Sequence, residues 1–206
     1  MADLGSPRIR RRRAADLPAL AGVLFEQQPE TRYPYRDPLP IPVESFLHAD
    51  DARAAWTAEL GGRPVGHVCW TAPDRSSESS EPSELNRAAA AAHGCAVDDL
   101  GWVSTLFVGP EARGYGVGRR LLDTAVAGIR EAGRRPCLEV LPLHAAADRL
   151  YRSAGWVEAA RLPASWAPPD LPVVVMVLLG SGPAEPELGR TRRAVGDVRP
   201  GRGEQA

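Results

Sequence analysis

Val108-Gly-Pro-Glu-Ala-Arg-Gly-Tyr-Gly-Val-Gly-Arg-Arg-Leu-Leu122 is the segment from which the rest of the chain can be read. An apolar, β-like run over 102–108 enters it, and an amphipathic helical pattern leaves it. Between the two, Gly114, Gly116 and Gly118 alternate with Tyr115 and Val117. Glycine lets backbone N–H groups approach a ligand closely, and a helix start carries the positive end of its dipole. Strand, glycine turn and helix start together make an anion cradle. The spacing decides which anion. A P-loop has Lys and then Ser or Thr after its last glycine, whereas Arg119 and Arg120 stand here. A dinucleotide fingerprint needs G-x-G-x-x-G, which alternating glycines do not supply.

Around this segment the composition sets bounds. The 206 residues suit one compact domain with tails, and 44% hydrophobic residues suffice for a sizeable core. A formal net charge of −1 provides no overall field toward nucleic acid or an acidic membrane. Every basic residue but histidine is Arg, which with abundant Ala and Pro fits a GC-rich coding bias. Cys69, Cys95 and Cys137 lack metal-ligand spacing, and their odd number argues against a disulfide framework, so no metal site is expected. The longest apolar run, 173–179, is too short to span a membrane, and Arg10 to Arg13 lead into no signal-peptide core. A soluble, cytoplasmic protein is expected, either monomeric or a homodimer.

Periodicity predicts the elements. Residues 8–13 read as an edge strand with solvated arginines, and a helix begins near Asp16 with Pro18 in its first turn. Residues 29–42, rich in Pro and Tyr, read as a loop, and 43–48 as a short helix. Two strands, 54–60 and 65–71, flank a Gly61-Gly62 hairpin, with Pro64 delaying the second. Residues 73–83 form a Ser/Glu/Pro loop and 84–92 a helix. After the glycine turn, Val117, Leu121, Leu122, Ala125, Val126 and Ile129 make a buried helical stripe that ends before Gly133. A strand at 137–141, a helix at 145–154 and a closing strand pair at 156–162 and 173–179 complete the pattern. Residues 181–206 read as a disordered tail.

Motifs spread along the chain resemble those of one family. Arg113-Gly-Tyr-Gly-Val-Gly118 is similar to the R/Q-x-x-G-x-G/A motif of the GNAT N-acetyltransferases. Ile9-Arg10 with Asp16-Leu-Pro-Ala-Leu20 resembles that family's first strand and helix, and Leu106-Phe-Val-Gly-Pro-Glu-Ala-Arg-Gly114 its strand-to-loop signature. Leu138-Glu-Val140 and Ala147-Asp-Arg-Leu-Tyr-Arg-Ser-Ala-Gly-Trp156 resemble its last two conserved segments. The resemblance implies a mixed, mostly antiparallel sheet of six to seven strands flanked by helices, in one domain over 7–180. It implies transfer of an acetyl group from acetyl-CoA to a primary amine of a small molecule or peptide. Another acyl-CoA or acceptor, or a non-catalytic acetyl-CoA sensor, are the alternatives.

Roles follow by motif position. The amides of Arg113, Gly114, Tyr115, Gly116, Val117 and Gly118, with Arg119, are expected to hold the pyrophosphate; the Arg113 side chain either joins them or braces the loop. The backbone of Leu106, Phe107 and Val108 is expected to pair with the pantetheine arm as an added strand. A bulge in this strand opens a slot for the thioester, and an N–H near Phe107 or Val108 polarises its oxygen. Tyr151 stands at the family's general-acid position. Glu139 is the base candidate, spaced from Tyr151 much as in acetyltransferases of protein N-terminal alanine. His144 replaces a usual coenzyme-contacting Asn, and Trp102 a usual carboxylate. Asp98 and Asp99 either relay a proton or cap the loop. Trp56, Trp70, Tyr33 and Tyr35 are candidates for an acceptor pocket, which residues 33–42, the Ser/Glu insertion and residues 163–172 are expected to frame.

Overall fold

The computed structural model describes residues 6–48, 52–73 and 82–180. In chain order it comprises β1 (Arg8–Arg11), α1 (Leu17–Thr31), α2 (Val43–His48), β2 (Ala52–Leu60), β3 (Arg63–Thr71) and α3 (Glu84–His93). There follow β4 (Leu100–Val108), α4 (Val117–Glu131), β5 (Arg135–Val140), α5 (Ala145–Ser153), β6 (Val157–Leu162) and β7 (Val173–Val177). The strands form one seven-stranded sheet in the order β1-β2-β3-β4-β5-β7-β6. Only β4 and β5 run parallel. Most of the Ser/Glu/Pro loop, and all of the tail expected from residue 181, lie outside the described residues.

Helices cover both faces. The apolar stripe of α4 is the one expected from spacing, and it packs on β2, β3, β4 and β5. Two close approaches seat it: a Cβ on Gly101 would fall 2.6 Å from Ile129, and one on Gly128 would fall 2.7 Å from Trp56. Helix α5 shares this face, with Leu150 beside Gly118. The opposite face carries α1 and α2 near β3 and β4, and α3 over β6 and β7.

Three local expectations need correction. Helix α1 runs through Pro29 to Thr31, because the lost N–H bond falls in the last turn, opposite the exposed Phe25. Strand β3 starts at Arg63 with Pro64 inside it, since β4 pairing begins only at Gly66 and Pro64 sits beside a register shift. The arginines of the first strand are not all solvated. Arg10 turns inward to bind Asp16 through both carboxylate oxygens (2.7 and 2.8 Å), and Thr57 donates to the same buried carboxylate at 3.0 Å. These bonds, chiefly that from Arg10, hold the Asp16 carboxyl well below its ordinary range.

Candidate active site

The site begins where β4 leaves β5. Their ladder holds only Leu100–Arg135, Gly101–Pro136 and Trp102–Cys137. Beyond Trp102, β4 stays paired with β3, while Leu138 to Val140 of β5 pair with β7. The two strands therefore splay into a slot. A bulge accompanies the splay: His67 faces Phe107 and Cys69 faces Ser104, so β4 spends one extra residue there. Thr105 is left-handed at φ +46°. Side-chain alternation switches at this point. Gly101 and Val103 face α4, yet beyond the bulge Leu106 and Val108 face α4 and Phe107 packs under α1.

His67 holds the bulge. Its Nδ1 lies 3.0 Å from the Thr105 carbonyl and its Nε2 lies 3.4 Å from an Arg12 nitrogen. Arginine can only donate, so Nε2 accepts and Nδ1–H donates to Thr105. The ring is fully buried, and burial pushes its pKa down to about 4. Arg12, itself half-buried, also donates to the Leu47 carbonyl. Nothing in the sequence marks this brace, because a strand histidine reads like any other buried polar residue and bulges arise from long-range pairing.

The glycine turn follows β4. Gly114 and Gly116 adopt φ +80° and +71°, the left-handed region that favours glycine, and no protein atom comes within 4 Å of where their Cβ atoms would sit. The turn thus presents open backbone. Among the described residues, no protein acceptor takes the N–H groups of Gly114, Tyr115, Gly116, Val117, Gly118 and Arg119; Arg120 N–H begins the capped helix by donating to Gly116. Six such donors at the head of a 15-residue helix suit a doubly charged phosphate group. The Arg113 side chain ion-pairs with Glu30 of α1, yet its buried Nη2 has no partner among the described residues. Arg119 turns along α4 to Asp123 at 3.0 Å and reaches the Ser153 carbonyl. Its backbone, rather than its side chain, faces the cradle.

Three titratable groups, Glu139, Tyr151 and Tyr33, are electrostatically linked. Glu139 lies on the face opposite Leu138 and Val140, and burial raises its carboxyl to about 7, partly offset by the Trp166 indole donating to it. Tyr151 comes from α5 on the other side of the sheet and is 7% exposed, and burial lifts its hydroxyl above the usual range. Tyr33, just after α1, feels both Tyr151 and Glu139 electrostatically. The splay lets groups from opposite faces approach one another. Among the described residues, neither tyrosine hydroxyl has a protein hydrogen-bond partner, so both are available to a ligand. His144 Nδ1–H donates to the Thr31 carbonyl at 3.0 Å, and the ring meets Tyr33 edge-on at 5.9 Å. Burial lowers its pKa.

Beside these groups lies an open cleft of about 670 Å³ lined by Gln28, Arg32, Tyr35, Arg36, Leu143 and Leu171, among others. The segments 33–42 and 163–172 contribute to its lining through Tyr35, Arg36, Asp37, Pro38 and Leu171. Trp56 and Trp70 do not take part: both are buried against α4, since they lie on the β2 and β3 face that α4 covers. Trp102 points to α3, donating to Asn86 at 2.9 Å. Asp99 caps its own turn by accepting from Ala96 N–H, and the Asp98 carbonyl accepts from Arg134. Trp166 was missed from sequence; a lone Trp between prolines was its only signal.

A splayed β4–β5 pair, a bulge and an N–H cradle at a helix start set this α/β fold apart. The profile of the Acetyltransferase (GNAT) family matches residues 20–156, and the chain belongs to that family. No curated protein matches the sequence. In fold, the chain is similar to yncA from Salmonella typhimurium, solved with its cofactor acetyl-CoA (TM-score 0.63, 19% identity, covering 90% of this chain and 100% of that one). It is also similar to the ribosomal-protein-S18-alanine N-acetyltransferase of Escherichia coli (TM-score 0.57, 18% identity, covering 85% and 96%). A third likeness is to a spermidine N-acetyltransferase SpeG chimera from Vibrio cholerae and hSSAT (TM-score 0.56, 19% identity, covering 85% and 96%). Among the described residues no helix is long and apolar enough to cross a membrane, and no group of His, Cys, Asp or Glu is arranged to hold a metal ion.

Proposed function

We propose that the chain is an acetyl-CoA-dependent N-acetyltransferase acting on a primary amine by direct attack, through one domain over residues 7–180. The observation that carries this reading is the β4 edge left unpaired beyond Trp102, followed after a short turn at Pro110–Ala112 by six unpartnered N–H groups. An extended pantetheine arm suits such an edge, and a pyrophosphate suits such a cradle.

The chemistry then follows from the groups at the slot. An ammonium cannot attack a carbonyl, and Glu139, with a pKa near 7, is matched to removing its proton at neutral pH. The amine nitrogen forms its bond to the thioester carbon, and the carbonyl oxygen gains negative charge. A backbone N–H near Phe107 or Val108 stabilises that oxygen in surroundings shielded from water. The carbon–sulfur bond then breaks. Tyr151, kept protonated by burial, gives its proton to the departing sulfur, yielding an amide and a free thiol. His67 and Arg12 act as positioning residues, because they hold the bulge that shapes the slot.

The test is direct. Acetyl-CoA should raise Tm, and a mixed amine panel should yield free CoA with an acceptor 42 Da heavier by mass spectrometry. Thermal protection without any CoA release would support a sensor instead.

A further inference from the structure

Granted that acetyl-transfer reading, the cleft bears on what kind of amine is received. Its walls carry two guanidinium groups, Arg32 and Arg36, against one carboxylate, Asp37. Among the described residues Arg32 makes no ion pair, and Arg36 has only a long contact, 3.4 Å, to the Ser165 carbonyl. Arg32 also closes α1 in a left-handed conformation, φ +60° and ψ +26°. Glycine or asparagine is the usual residue at such a helix end, and a bulky side chain there is strained. An arginine kept at a strained position, exposed and unpaired, projects a charge with no partner of its own.

Short chain links join the cleft lining to the titratable groups at the slot. Trp166, which bonds Glu139, follows the residue whose carbonyl accepts from Arg36. Tyr33, which feels Glu139 and Tyr151, follows Arg32 directly. His144, tied to Thr31, follows Leu143 of the cleft lining. A molecule bridging the two places would have its amine at Glu139 and its far end between two arginines. Positive walls disfavour a second ammonium, as in a polyamine, and favour an oxyanion. A guanidinium fork matches a carboxylate with paired hydrogen bonds. Leu143 and Leu171 offer apolar surface to the carbon skeleton between.

We infer that the acceptor is a small amino carboxylate, with its carboxylate held by Arg32 and Arg36 and its amine presented to Glu139. The carboxylate takes no part in bond making; it sets orientation and selects by charge.

The experiment uses the full chain with acetyl-CoA and follows CoA release for matched acceptors: an aliphatic amino acid, its amide, a short peptide with a free N-terminus, and spermidine. The free acid should exceed its amide by about tenfold in kcat/KM, a ratio that shrinks as salt rises. Arg32→Gln and Arg36→Gln should each draw that ratio toward one through KM, while the Tm shift with acetyl-CoA shows that the variants remain folded. If the amide, the peptide or spermidine reacts as well as the free acid, charge selection is wrong and the transferase reading stands. An unchanged acid-to-amide ratio in both variants overturns the assignment to these arginines. Absence of turnover with every amine overturns the transferase reading, and this inference with it.

Discussion

The N-terminal end of α4 and the cleft at the end of α1 are built from different material. At α4 the free polar groups are backbone amides, and side chains matter chiefly by being absent, as at Gly114 and Gly116. At the cleft the groups are side chains from three separate segments: the α1 end and its loop, the β5–α5 turn and the β6–β7 connection. Backbone recognition needs particular φ values in a fixed order, so it leaves a contiguous motif. Side-chain recognition from scattered loops leaves none. One half of the site can therefore be shared across a family while the other varies freely.

The largest effect should come from attacking the backbone half. Gly116→Glu places a side chain at φ +71° and a negative charge among the free N–H groups, and acetyl-CoA affinity should fall by roughly 100-fold or more in calorimetry. Tyr151→Phe keeps the ring but removes the acid. Here kcat should drop by about 100-fold while acetyl-CoA affinity holds, and unchanged turnover would exclude Tyr151 as donor. Glu139→Gln tests the base. The native kcat/KM should rise with pH through about 7 as the carboxyl ionises, and the variant should lose both most of its rate and that inflection.

The bulge brace should matter less but has its own signature. His67 is held neutral when folded, with a pKa of about 4 against 6.5 when unfolded. As pH falls from 6.5 toward 4, the unfolded chain takes up a proton that the folded one refuses, so stability is present above 6.5 and lost below it. The loss should be on the order of 3 kcal/mol in denaturant titrations, and His67→Ala should remove that pH dependence. The same variant should lower kcat by about tenfold with little change in acceptor KM, because the slot loses its shape while the cleft persists. The smallest effect belongs to the cleft rim: Tyr35→Ala, at a 38% exposed residue, should change acceptor KM a few-fold and leave acetyl-CoA affinity as it was.

What could be read in advance divides along the same line. The α4 stripe from Val117 to Ile129 was readable because helical burial repeats locally, and the hairpin at Gly61-Gly62 because turn chemistry is local. Tyr151 was named by motif position and Glu139 by strand alternation and its spacing from Tyr151; the electrostatic coupling of Tyr33 to both depends on strands distant in sequence. The bulge at Thr105 was expected from the family, but its support by His67 and Arg12 joins β4 to β3 and the segment after β1, which no window of sequence contains. Trp56 and Trp70 misled because aromatic spacing does not say which face of a strand a helix will cover.

Gly128 is far from the glycine turn, yet its contact with Trp56 fixes how α4 lies on the sheet. Its Cα rests so close to Trp56 that even a methyl group would need the helix to lift. The cradle at Gly118 lies ten residues away, about 15 Å along the axis at 1.5 Å per residue. A tilt of about 4° at Gly128 would swing the donors by about 1 Å, a displacement able to cost about 100-fold in rate. The hydrogen atom that stands for a side chain at Gly128 thus sets the aim of the phosphate-facing end.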